Sequence, residues 1–152
     1  MERELDRAEA GPTWLKDPRV AGATVEVLFT AQDKWKLYAW VIMSNHVHAL
    51  LKPHKPICEV TRAIKSSSGR IANDILGRSG ERFWQEESYD HWVRNSDEFS
   101  RIVKYIERNP VKAGLVEHPQ DWPWSSATVG QVSDLPDVLD GSEMGWSETR
   151  PT

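Results

Sequence analysis

Cysteine is almost missing from this chain: Cys58 is the only one in 152 residues. A disulfide framework is thereby excluded. No CxxC or HxxxH spacing accompanies Cys58, so a closed zinc site is not indicated either. Long apolar runs are also missing, with none near the roughly 18 residues that a membrane span requires. The N-terminal Met-Glu-Arg-Glu-Leu-Asp-Arg lacks the apolar centre of a signal peptide. These absences fit the cytoplasm. The length suits one domain with its own core. The eight tryptophans are many for that length.

Excess positive charge is absent overall, since the net charge is −4. Its distribution is uneven. Residues 52–116 hold twelve basic and nine acidic residues, whereas residues 117–152 hold one and seven. The densest positive stretch runs from Lys52 to Arg78, with six basic and two acidic residues. A basic middle permits local contact with phosphate, although charged helix faces are commonly just solvated.

The segment Tyr38-Ala-Trp-Val-Ile-Met-Ser-Asn-His-Val-His-Ala-Leu-Leu51 reads as two apolar strands joined by a tight Ser44-Asn45 turn. Side chains alternate faces along a strand, so His46 and His48 point one way and Val47 the other. Two imidazoles side by side can hold one divalent ion, which can polarise a phosphodiester. A third alternating histidine is lacking, because that position is Leu50. The pair therefore predicts an open site for Mg or Mn, against the plainer reading of a structural pair on a half-exposed sheet.

Other elements follow from local pattern. Asp17-Pro18 starts a helix that extends to about Gln32, with Val20, Thr24, Val27 and Leu28 on one side. Strands cover about Lys36–Met43 and His46–Lys52. A basic helix spans about Ile57–Leu76 and is weakened locally by Lys65-Ser-Ser-Ser-Gly-Arg70. Phe83-Trp84 and Ser88–Val93 predict a short hairpin. Asn95 with Glu98 resembles a capping box, and the helix it opens is expected to stop at Asn109-Pro110. Residues 1–127 are expected to form the domain, with residues 1–16 weakly patterned. The acidic stretch 128–152 is expected to be disordered.

The helix from about Ser96 to Arg108 has an apolar stripe of Phe99, Ile102, Val103 and Ile106. Tyr105 lies about 110° from the stripe's centre, at the core boundary. Asn109 follows one turn later on the same side, with Arg101 and Arg108 toward solvent. A tyrosine oxygen can attack a phosphodiester when positive charge or metal is near. The plainer alternative is a boundary tyrosine with its hydroxyl in water.

Two stretches carry a resemblance. Trp40-Val-Ile-Met-Ser-Asn-His-Val-His48 resembles the HUH motif of single-tyrosine transposases. Tyr105-Ile-Glu-Arg-Asn-Pro-Val-Lys-Ala-Gly-Leu-Val116, followed by Asp121-Trp-Pro-Trp-Ser-Ser126, is similar to the downstream signature of the REP-associated branch. Phe83-Trp84-Gln85 and Val93-Arg94-Asn95 fit the same branch, and the likeness covers about residues 14–127.

The resemblance implies an α+β fold, with helices on a ferredoxin-like antiparallel sheet and the histidines on a central strand. It implies Tyr105 as nucleophile and His46, His48 and Asn109 as ligands for Mg or Mn. The implied activity is metal-dependent cleavage and rejoining of single-stranded DNA at palindromic hairpin repeats, through a 5′-phosphotyrosine link. The alternatives are a hairpin-binding module that no longer cuts and a truncated, inactive remnant. Lys52, Arg62, Lys65, Arg70, Arg101 and Arg108 are the candidate DNA contacts, and Trp84 or Trp92 could stack on bases or simply pack in the core. The implied protein is cytoplasmic and nucleoid-associated, with no membrane partner, as a monomer or homodimer. Two departures stand out. Ser44 replaces a common proline, and residues 1–16 offer no strand where relatives begin with one. A missing strand would expose main-chain groups and apolar surface beside the histidine strand unless it is supplied otherwise.

Overall fold

The computed structural model describes residues 12–30, 33–86, 89–129 and 144–151. Helix α1 spans Pro18–Thr30, strand β1 Trp35–Ile42, strand β2 Val47–Pro53 and helix α2 Ile57–Leu76. Strand β3 spans Tyr89–Val93, helix α3 Ser96–Lys112, the single turn α4 Ser126–Val129 and strand β4 Met144–Thr149. The sheet order is β1-β2-β4-β3 and every neighbouring pair is antiparallel. The expected α+β architecture, an antiparallel sheet packed with helices, is present. Among the described residues, no helix is long and apolar enough to cross a membrane.

The sheet separates two apolar layers. On one face Trp35, Trp40, Ile42, Val47, Ala49 and Leu51 meet α1 and α2 through Val20, Leu28, Val60 and Ala72. On the other, Ala39, Val41, Met43 and Leu50 meet Phe99, Ile102 and Ile106 of α3. β1 serves both layers through the alternation of its side chains, and its register to β2 shifts between Leu37 and Ala39. The extra residue lets odd-numbered Trp35 and even-numbered Trp40 share a face. Backbone pairing of Met43 N–H with the His46 carbonyl (2.8 Å) closes the two-residue Ser44-Asn45 turn.

Within the stretch 128–152, expected to be disordered, residues Met144–Thr149 instead form β4. Its backbone pairs with β2 from Val47↔Thr149 to Leu51↔Gly145, and with β3 from Tyr89↔Glu148 to Val93↔Met144. A strand from the C-terminal side thus lies beside the histidine strand and pairs the edge that the sequence led one to expect exposed. Residues 1–11 and 130–143 lie outside the described residues.

The polar composition of Met144-Gly-Trp-Ser-Glu-Thr149 hides the strand from pattern reading, but it suits a crowded interior position. A Cβ on Gly145 would come within 3.2 Å of the His91 carbonyl oxygen and 3.5 Å of the Trp92 ring.

Two further corrections concern element ends. Phe83-Trp84 does not pair with β3. Instead Trp84 bridges Pro151, and Gln85 N–H donates to the Arg150 carbonyl (2.8 Å), extending the C-terminal pairing. α3 does not stop at Asn109-Pro110 but continues to Lys112. Pro110 removes only one helical donor, and the stop comes at Gly114 (φ 76°). There Gly114 N–H donates to the Val111 carbonyl and Leu115 N–H to the Pro110 carbonyl, each at 3.0 Å, forming a Schellman cap.

The Ser-rich stretch of α2 is uninterrupted helix. Ser68 Oγ donates to the Ile64 carbonyl (2.6 Å) and accepts from Trp84 Nε1 (2.9 Å). Gly69 admits Phe83 and Trp84 at 3.4 Å from where a Cβ would sit.

Deleting residues 144–152 is expected to abolish the cooperative thermal transition, since two strand edges would face a gap. Gly145→Val should lower stability in a denaturant titration by about 1–3 kcal/mol through overpacking. A gain in stability, as strand propensity alone would give, would contradict this packing.

Candidate active site

The hairpin turn and the α3 layer create the site. Val47 is committed to the α1–α2 layer, so the alternation of β2 directs His46 and His48 toward α3. Both imidazoles are buried, and their ring centroids lie 4.8 Å apart. α3 is anchored by Phe99, Ile102 and Ile106, which leaves Tyr105 on the helix flank over the same face. Its ring centroid is 5.6 Å from that of His48, edge to face. Tyr105 is half-buried, and its hydroxyl oxygen is buried rather than standing in water. Asn109, one turn further, is buried as well.

α3 is fixed at its start by Asn95, whose side chain accepts from Glu98 N–H at 2.9 Å. Glu98 reaches back to Arg94 N–H (3.3 Å), one residue before the cap residue that a capping box would use. The Asp121–Ser126 segment closes the far edge of β1. Trp122 Nε1 donates to the Ile42 carbonyl (3.0 Å), and Ile42 N–H donates to the Trp124 carbonyl (2.8 Å). Ser126 Oγ accepts from Trp40 N–H (3.1 Å) and donates to Glu107 of α3 (2.7 Å). That segment holds β1 and α3 together beneath the tyrosine, a structural use for part of the second sequence signature.

The imidazoles are prepared differently. His46 Nδ1 lies 2.7 Å from Asn45 Oδ1, an acceptor that assigns the proton to Nδ1 and the lone pair to Nε2. His48 has its pKa pushed well below the ordinary imidazole value by burial first, then by the positive potential of His46 and of Arg150. A neutral imidazole is the form that ligates metal. Among the described residues, no three His, Cys, Asp or Glu side chains form a ready-made metal cluster. The two imidazoles are the possible metal donors that the structure brings side by side.

Sequence reasoning missed Glu148 of β4. It is buried, with Oε2 at 3.9 Å from His48 Nδ1 and Oε1 at 2.5 Å from Arg150 Nη2. It carries no spacing signal, because it is brought in by pairing with a strand about a hundred residues earlier.

The candidate DNA contacts are divided. Exposed Arg101 and Arg108 flank Tyr105 on α3. Lys52 lies near the far end of β2, about 13 Å along the strand from His48 at the usual rise. Arg62, Lys65 and Arg70 sit on α2, across the sheet from the tyrosine, and line an open groove with residues 79–86. Lys65 Nζ donates to the Gln85 and Glu86 carbonyls at 2.9 and 3.3 Å and so clamps that loop. Trp84 is a core residue, whereas Trp92 is 46% exposed.

The family model of IS200-like transposases matches residues 23–109. A REP-associated tyrosine transposase of Escherichia coli is 29% identical over 93 residues, which are 60% of this chain and 54% of that protein. A Haemophilus influenzae protein provisionally given the same description is 42% identical over 43 residues, 28% of this chain and 24% of its own length. The chain thus spans about half, or less, of the length of these relatives. The solved structure of a REP-associated tyrosine transposase bound to a REP hairpin shares the fold. It has a TM-score of 0.60 and 23% identity, over 85% of this chain and 84% of that one.

The depressed His48 pKa carries a pH signature. The folded state keeps His48 neutral, whereas the unfolded chain takes up the proton near pH 6.5, so stability is full above about pH 6.5 and declines below it. The decline from this one group is at most about 1.4 kcal/mol per pH unit. Thermal melts from about pH 8 to about pH 5 should show a falling Tm in the native protein and a flatter profile in His48→Gln. Equal slopes would contradict the assignment. With the matched region covering more than half of its residues, from α1 through Asn109, this chain belongs to the IS200-like transposase family.

Proposed function

We propose that this protein cleaves and rejoins single-stranded DNA at palindromic hairpin repeats, with Tyr105 as the nucleophile. The observation that carries the reading is the contact between His48 and Tyr105, 5.6 Å between ring centroids. It joins two sequence signatures that lie on different elements and far apart in the chain. The REP hairpin bound by the structural neighbour supports the substrate class.

The residues divide the work. The Tyr105 oxygen attacks the scissile phosphorus while its proton passes to water. The bond from phosphorus to the 3′ oxygen breaks and that oxygen takes a proton from water, which leaves a 5′-phosphotyrosine and a free 3′ hydroxyl. Attack by another 3′ hydroxyl reverses the step and rejoins strands. His46, His48 and Asn109 are the side chains that would hold Mg or Mn, which when bound withdraws charge from the phosphate. Asn45 orients His46, and the buried surroundings of His48 keep it neutral. Arg101 and Arg108 supply positive charge beside the tyrosine for the DNA backbone.

A 3′-labelled single-stranded oligonucleotide carrying a palindromic repeat should yield a covalent protein adduct on a denaturing gel with Mg or Mn. Chelation, Tyr105→Phe and His46→Ala should each abolish the adduct, with hairpin binding retained in Tyr105→Phe. A folded protein that binds hairpins without forming an adduct would instead be a recognition module. Asn45→Ala should weaken the apparent metal affinity about 10- to 100-fold, the usual effect of losing a group that orients a ligand. Arg101→Ala should reduce the salt dependence of hairpin binding by about one unit of slope.

A further inference from the structure

β4 and the residue that follows it bring two charged side chains, Glu148 and Arg150, to a buried site that the family match, ending at residue 109, does not reach. Glu148 stands directly opposite His48 in the β2–β4 ladder, and such cross-strand partners share a face. Its carboxylate is 4% exposed. Oε1 pairs with Arg150 Nη2 at 2.5 Å, while Oε2 faces His48 Nδ1 at 3.9 Å. Arg150 is itself pinned through its backbone, because its carbonyl accepts from Gln85 N–H.

Burying a carboxylate is unfavourable, and an apolar residue would fill an interior strand position without that penalty. One arginine compensates the charge, but the second oxygen is directed at the histidine. His48 is neutral, so this contact is not an ion pair. At 3.9 Å the carboxylate is too far for a hydrogen bond, and it acts on the ring through its negative charge, which favours the single proton on Nδ1. His46 reaches the same tautomer through Asn45.

We propose that Glu148, held by Arg150, is a positioning residue that keeps His48 in the Nδ1–H tautomer, so that both imidazoles present Nε2 to one cation. The role resembles the carboxylate–histidine pairs behind many metal ligands. It rests on the metal-binding reading above, but the tautomer exists without metal and can be observed alone.

Histidine 15N NMR on the metal-free protein should show His48 as the Nδ1–H tautomer. Glu148→Met, similar in size but with no acceptor oxygen, should convert it to a mixture and leave His46 unchanged. Mn²⁺ affinity, read from the free-ion EPR signal, should fall about 10- to 100-fold in the same variant. Glu148→Gln keeps the shape with a weaker acceptor and should fall between the two. It serves as the test if Glu148→Met does not fold. A wild-type His48 protonated on Nε2 overturns the proposal, as does an unchanged His48 tautomer in a folded variant. A wild-type His48 in the Nδ1–H form in a protein that does not bind Mn²⁺ would sink the metal reading while sustaining the positioning role.

Discussion

Backbone pairing of β4 between β2 and β3 is the constraint on which the rest of this structure depends. Without it the histidine strand and β3 would present two rows of unpaired main-chain groups across a gap one strand wide. Each buried group left unpaired costs on the order of 1–3 kcal/mol, so such a gap cannot persist in a folded domain. The same strand sets the distance from β3 to β2, and β3 leads directly into α3. The position of Tyr105 over His48 is therefore downstream of a pairing made by residues 144–149. The pairing is also non-local, joining segments about a hundred positions apart. Contacts of that separation slow folding and make the sheet's completion a late event.

The site shows how burial alone can choose a chemical state. His48 is enclosed by the sheet and α3, beside a second imidazole and near an arginine, and each of these disfavours an extra proton. A neutral His48 results without any dedicated base. The tyrosine is positioned by packing, because Phe99, Ile102 and Ile106 fix the rotation of α3. Small changes in that apolar layer would move Tyr105, so the α3 layer sets the geometry of the proposed site as much as the polar groups do.

Much of this was legible in the sequence because local physics dominated it. The α1 stripe of Val20, Thr24, Val27 and Leu28 is buried as its spacing implied, and the Ser44-Asn45 turn sets the parity of His46 and His48. Tyr105 was visible as a boundary residue, although its buried hydroxyl was not. The misses share a cause. Pro110 reads as a helix stop, yet a proline near a helix end loses only one bond, and the later Gly114 cap decides the end. Met144–Thr149 reads as a polar tail because an interior strand flanked by bulky neighbours needs small residues such as Gly145. Glu148 could not be found from pattern at all, since only the sheet register places it opposite His48.

The most direct test of the account is hydrogen exchange resolved to single amides in the native protein. Amides from Gly145 to Thr149 are predicted to exchange as slowly as those from Val47 to Leu51, because both belong to the interior of one sheet. Exchange of the 145–149 amides at the rate of an unstructured segment, with β2 still protected, would show that the sheet is completed in some other way and would contradict the account.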